Sequence, residues 1–179
     1  MDQPLTLFPD APEVTIARLL AGDHRSTVAT AESCTGGNIA GRMTSVAGSS
    51  AYFLGGIVAY DNTIKSRVLG VPESIIESYG AVSEQCAKAM AECARALFDT
   101  DYAVASTGIA GPGGGSRVKP VGLVFIGVSS PAATVVTQHN FAGDRRSVVD
   151  HATAAALQAL LSAIERHQGS SRSIQDRKS

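Results

Sequence analysis

The chain has 179 residues, 44% of them hydrophobic and 17% charged, which suits one domain with a real core. Fifteen basic side chains face sixteen acidic ones, Trp is absent and aromatics make up 5%, so neither a polyanion-binding surface nor a base-stacking platform is expected and nucleic acid is not an expected partner. No apolar run is expected to span a bilayer, and MDQPLTLFPDAPEV lacks the basic start and apolar centre of a signal peptide, so the expected compartment is the cytoplasm, without a membrane partner.

Residues 1–11 read as an N-terminal extension. Pro12 to Ala21 reads as a first helix, with Pro12 in the first turn and Gly22 at the end. A short strand over Thr27–Thr30 runs into the loop Ala31-Glu-Ser-Cys-Thr-Gly-Gly37 and a helix to Thr44. Ala51–Tyr60 is apolar and β-rich, with Gly55-Gly56 marking a bulge or a close approach. Short helices follow over Asn62–Leu69 and Pro72–Ser78. Ser83 caps a longer helix that ends at Phe98. Tyr102–Thr107 reads as a strand that opens into the glycine loop Gly108–Gly115. Gly122–Ser129 and Thr134–Phe141 are two further strands, and their link is too short for a crossover, so they form an antiparallel hairpin. Asp144 caps a final helix to about Glu165, and 167–179 reads as a disordered polar tail.

Helices alternate with apolar strands, which predicts a single α/β domain over 12–166, layered α/β/α around a mixed central sheet. Three cysteines, Cys34, Cys86 and Cys93, have no metal-ligand spacing. Cys86 and Cys93 fall in line with Met90 and Leu97 and read as core. His24, His139, His151 and His167 form no ligand pattern, so no metal site is expected.

Ligands of α/β sheets gather off the carboxyl ends of strands. Three loops fall there. In the first, Gly36 and Gly37 open the backbone at a helix start, with Ser33 and Thr35 beside them, and this suits a phosphate or an oxyanion. A capped helix with a tight turn fits the same residues equally well, and Glu32 either orients a neighbour or closes that cap. In the second, Lys65 falls in the first turn of a helix, where the dipole disfavours a cation and lowers its pKa, as a general base requires. A solvated surface lysine is the commoner alternative. Tyr60 stands five residues earlier. In the third, Gly108–Gly115 reads as a lid, an anion nest or a plain loop. Ser49-Ser50, ahead of a strand, offers a serine for activation by Lys65 or is a simple Gly-Ser turn. Arg145 or Arg146, at the start of the last helix, could pair with a phosphate.

Eight segments stand in order along the chain: Ala31-Glu-Ser-Cys-Thr-Gly-Gly37, Gly48-Ser-Ser50, Gly55–Tyr60 with Lys65, Leu69-Gly-Val71, Gly80-Ala-Val-Ser83, Thr107-Gly-Ile-Ala-Gly-Pro112, Lys119-Pro-Val-Gly122 and Gly143-Asp-Arg145. Together they resemble the CinA C-terminal family, the nicotinamide-nucleotide amidohydrolases of PncC type. The resemblance implies deamidation of nicotinamide mononucleotide to nicotinate mononucleotide and ammonia, by Ser–Lys hydrolysis with neither cofactor nor metal. It implicates Ser33, Ser50, Tyr60, Lys65, Thr107 and Arg145. Ser50 is the expected nucleophile, Lys65 the base and Tyr60 a relay. Ser33, Glu32 and the Thr35–Gly37 amides, with Thr107, Gly108 and Arg145, are expected to hold the substrate or the oxyanion. A non-catalytic nucleotide-binding module is the alternative. The short stretch before the first helix resembles the stand-alone form of the family, and a homo-oligomer is compatible with the sequence.

Overall fold

The computed structural model describes residues 11–21 and 26–175, the last six of these by their backbone. The expected extension over 1–10, the stop at Gly22, His24 and the end of the tail lie outside the described residues.

Helix α1 (Pro12–Leu20) starts with Pro12 in its first turn, where a missing N–H costs nothing. Strand β1 (Val28–Glu32) and helix α2 (Asn38–Thr44) follow. A 3-10 turn (Ser49–Ala51) leads into β2 (Phe53–Val58). Then come α3 (Asn62–Arg67), α4 (Glu73–Tyr79) and α5 (Glu84–Phe98). Ser83 Oγ accepts the Cys86 N–H, so the expected cap forms. Strands β3 (Tyr102–Gly108), β4 (Leu123–Ser129) and β5 (Thr134–Asn140) precede α6 (Arg145–Gln175), whose start is capped by Asp144 accepting from the Ser147 N–H.

The sheet order is β2-β1-β3-β4-β5. Strands β2, β1 and β3 are parallel, whereas β3–β4 and β4–β5 are antiparallel, so the sheet is mixed as the short hairpin link requires. Register between β1 and β2 slips by one residue: Val28 faces Phe53, but Ala29 faces Gly55. The expected irregularity at the paired glycines is therefore present, and a Cβ on Gly56 would run into the Thr30 hydroxyl.

Side chains alternate across the sheet. Tyr102 and Val104 of β3 enter one core with Ile16, Ile39, Leu157, Leu160 and Ile164. Ala103 and Ala105 enter the other, with Met90, Ala91 and Ala94 of α5. Small residues let α5 lie close on the sheet; a Cβ on Gly127 would sit 2.6 Å from the Ala87 carbonyl oxygen.

Three expectations are corrected. α6 continues to Gln175, so residues 167–175 are helical rather than a disordered tail. Side chains near the predicted stop hold it down: His167 Nδ1 lies 2.8 Å from the Tyr102 hydroxyl, and Gln168 Nε2 donates to the Leu19 carbonyl at 3.3 Å. α6 is also long and apolar enough by composition to cross a membrane. Its apolar side is buried instead, at Val148, Ala152, Ala156, Leu157, Leu160 and Ile164, which marks it as a core helix. Finally, Leu97 is 54% exposed and Cys93 only half-buried, so the core stripe of α5 ends near Met90 and Ala94.

Candidate active site

Parallel pairing puts the carboxyl ends of β1, β2 and β3 on one edge of the sheet. The three loops leaving these strands carry Ser33, Tyr60 with Lys65, and Thr107 with Gly108. They close on a cavity of about 200 Å³ lined by Ser33, Cys34, Tyr60, Asn62, Lys65, Ala81, Val82, Thr107, Gly108, Ala110 and Arg145.

Lys65 is 2% exposed, although it belongs to a six-residue helix at the surface. Its Nζ donates to Ser33 Oγ at 3.2 Å and to the Tyr60 carbonyl at 3.2 Å. Burial lowers its pKa from the ordinary 10.5, with Cys86, Asp61 and Cys34 opposing. The lowering was expected from the helix dipole. Lys65 is the fourth residue of the helix, and loss of solvent leads instead.

Ser50 does not reach Lys65. It lies exposed in the 3-10 turn before β2, whereas Lys65 follows the far end of that strand. A six-residue strand separates them by roughly 20 Å. Ser33, at the end of the neighbouring parallel strand, is the serine within reach.

Glu32 is corrected as well. It is 1% exposed and absent from the cavity wall. Its Oε2 accepts from Thr35 Oγ1 (2.7 Å), Gly37 N (3.0 Å) and Ile39 N (3.0 Å), and its Oε1 accepts from Ala40 N (2.8 Å). The chain's own carboxylate thus fills the amino end of α2 that was expected to receive an anion. The Gly36 N–H goes to the Ser33 carbonyl at 3.1 Å. Gly36, Gly37 and Thr35 therefore shape the loop and do not line the cavity.

Thr107 lines the cavity but donates its hydroxyl to the Ala81 carbonyl at 2.6 Å, tying β3 to the loop before α5. Gly108 allows the crossing of β3 and β4: a Cβ there would meet the Leu123 carbonyl oxygen at 2.6 Å. Tyr60 is 57% exposed at the mouth. Arg145 donates to its hydroxyl at 2.7 Å and to the Gly111 carbonyl at 2.8 Å, so one guanidinium joins β2's loop, the glycine loop and α6.

Sequence reasoning gave no role to Asn62, Ala81, Val82 or Ala110, and left that of Cys34 open. Asn62 stood beside Asp61 at a helix start, and Ala81-Val82 lay inside a quoted motif, but neither carried a chemical signal. The Cys34 thiol is pushed up to about 11, chiefly by burial, and is a poor nucleophile there. Beside the cavity, and sharing Arg145, lies an open cleft of about 920 Å³ formed by Asn38, Pro112, Val121 and the first turns of α6 with Arg146 and Asp150. It is larger but has no serine–lysine pair. Among the described residues no three of His, Cys, Asp and Glu gather to hold a metal ion.

The fold and site define a layered α/β domain with a buried serine–lysine pair at the carboxyl edge of its parallel strands. The sequence profile of the CinA C-terminal domain matches residues 10–164, and the chain belongs to that family. It is similar to a CinA-like protein of Geobacter metallireducens (52% identity, 74% of this chain and 32% of that one) and to one of Thermotoga neapolitana (44%, 83% and 36%). The chain thus spans about a third of the length of the curated relatives it matches. Among solved structures it resembles the competence/damage inducible protein CihA from Agrobacterium tumefaciens (TM-score 0.82, 39% identity, 89% of this chain and 99% of that one). A CinA superfamily protein from Escherichia coli is also similar (TM-score 0.80, 31% identity, 89% and 94%).

Proposed function

We propose that this chain hydrolyses the carboxamide of nicotinamide mononucleotide, with Ser33 as nucleophile and Lys65 as base. The observation that carries the reading is the 3.2 Å approach of Lys65 Nζ to Ser33 Oγ, at a buried lysine whose pKa is lowered. A neutral lysine amine takes the serine proton as Oγ attacks the carboxamide carbon. The tetrahedral intermediate collapses to an ester of Ser33, and the Lys65 ammonium returns its proton to the departing ammonia. Water, deprotonated by the same amine, then cleaves the ester and restores Ser33.

The inner cavity is sized for a carboxamide and part of its ring, not for a whole nucleotide. The ribose and phosphate would extend into the cleft that Arg145 shares, where Asn38 offers a polar side chain and Arg146 a cation.

Ammonia release from nicotinamide mononucleotide, measured with a chelator present, tests the proposal. Wild type should turn over, Ser33→Ala and Lys65→Ala should each lose at least about 1,000-fold, and Ser50→Ala should stay within about twofold. A folded wild type that binds the nucleotide and releases no ammonia sinks the deamidase reading in favour of a binding module.

A further inference from the structure

We propose that Thr35 and Ser106 are positioning residues, which orient Ser33 for attack through a one-way chain of buried hydroxyls ending on Glu32. The inference rests on Ser33 being the nucleophile.

Ser33 is anchored to β3 through its own backbone: its N–H donates to the Ser106 carbonyl at 2.9 Å. The Ser106 hydroxyl lies 2.7 Å from the Thr35 hydroxyl, which donates to Glu32 Oε2 at 2.7 Å. A carboxylate only accepts, so the single Thr35 proton points to Glu32 and Ser106 must donate to Thr35. The direction of every bond in the chain is therefore fixed. Ser33 lies between its two ends: Glu32 precedes it in sequence, and Ser106 holds its N–H.

Thr35 and Ser106 are 1% and 0% exposed, and neither lines the cavity. They therefore act through Ser33 and touch no substrate. Packing alone would be served by valine at position 35, which has the same shape as threonine. What valine lacks is the hydroxyl linking β3 to the loop that carries the nucleophile. A shift of about 1 Å between reacting groups costs about 100-fold in rate.

The test compares Thr35→Val, Thr35→Ser and Ser106→Ala with wild type, in full-length protein shown to be folded at the assay temperature. Two rates are followed: ammonia release, and phosphonylation of Ser33 by a fluorophosphonate, in which Oγ bonds to phosphorus and fluoride leaves and no nucleotide is needed. Thr35→Val and Ser106→Ala should lower kcat at least about tenfold with KM within about twofold, and slow labelling alike. Thr35→Ser, which restores the hydroxyl, should recover most of both rates. The pH midpoint of kcat should stay in place, because neither residue touches Lys65. If Thr35→Val fails to fold, Ser106→Ala with its labelling rate decides. Folded variants that label and turn over like wild type overturn the positioning role and leave the Ser33–Lys65 reading standing. A folded wild type that neither labels nor releases ammonia overturns that reading, and the positioning role with it.

Discussion

Arg145 and Tyr60 are 85 residues apart in the chain, yet the guanidinium donates to the phenol oxygen at 2.7 Å across the mouth of the cavity. The same guanidinium holds the Gly111 carbonyl, so the mouth is framed by three elements tied at one side chain.

Removing that tie should affect substrate handling before chemistry. Arg145→Ala should raise KM for the nucleotide about tenfold or more, with a smaller loss in kcat. Tyr60→Phe deletes only the acceptor and should cost less than Arg145→Ala. Steady-state kinetics on the two variants checks the order, and an Arg145→Ala enzyme with wild-type KM rules out a binding role at the mouth.

The base must lose its proton to act. Because burial depresses the Lys65 pKa below 10.5, kcat/KM should rise with pH through a midpoint below that value. Lys65→Arg keeps the charge but cannot deprotonate in water, so it should be inactive throughout the range. A profile that stays flat from about pH 5 to 10.5 would exclude Lys65 as the titrating base.

The same burial has a stability signature. A lysine with a lowered folded-state pKa binds fewer protons when folded than when unfolded. Its penalty is full below the folded pKa, fades as pH rises through that value, and is gone above 10.5. Lys65→Met, which keeps the apolar length, should therefore raise Tm by a few degrees near neutral pH, and this gain should shrink towards pH 10.5. Thermal melts of both proteins across that window would show it. A Tm difference independent of pH would mean that the amine is not penalised in the fold.

Two glycines near the site should respond differently to alanine. At Gly108 the new methyl would meet the Leu123 carbonyl oxygen at 2.6 Å and the Val124 backbone at 2.9 Å, so two paired strands must move. A loss of about 2–3 kcal/mol is expected. At Gly36 nothing lies within 4 Å, and the cost is only that of φ +62°, about 1 kcal/mol. Urea denaturation separates these values. Equal losses would mean that β3 and β4 absorb the methyl without strain.

The sequence made the scaffold readable because periodicity and caps are local. The alternation in β3, the Ser83 cap and the short link at Ser130-Pro131 each speak within a few residues. Pairing across the sheet does not. Ser33 and Ser50 look alike as hydroxyls near glycines, and the choice between them depends on which strand end faces Lys65. Glu32 is legible as a carboxylate at a helix start that orients a neighbour or closes the cap, and only the folded loop, which brings the Gly37, Ile39 and Ala40 N–H groups to it, decides for the cap. The direction of the Lys65 shift was right for a different reason, since a short helix leaves the dipole little say and burial comes from surrounding segments. The end of α6 was missed because residues 167–175 have no apolar stripe, and the side chains that hold its last described turns reach out to Tyr102 and Leu19.

The turn between β4 and β5 lies on the other edge of the sheet, with Ser129 paired beside Ala103 at the start of β3. Pro131 and Ala132 are exposed there, a full strand length from Ser33 and Arg145. The proposed site and this turn thus lie on opposite rims of the sheet. A reporter, an affinity handle or a surface linkage placed in this turn would leave the cavity mouth open to solvent.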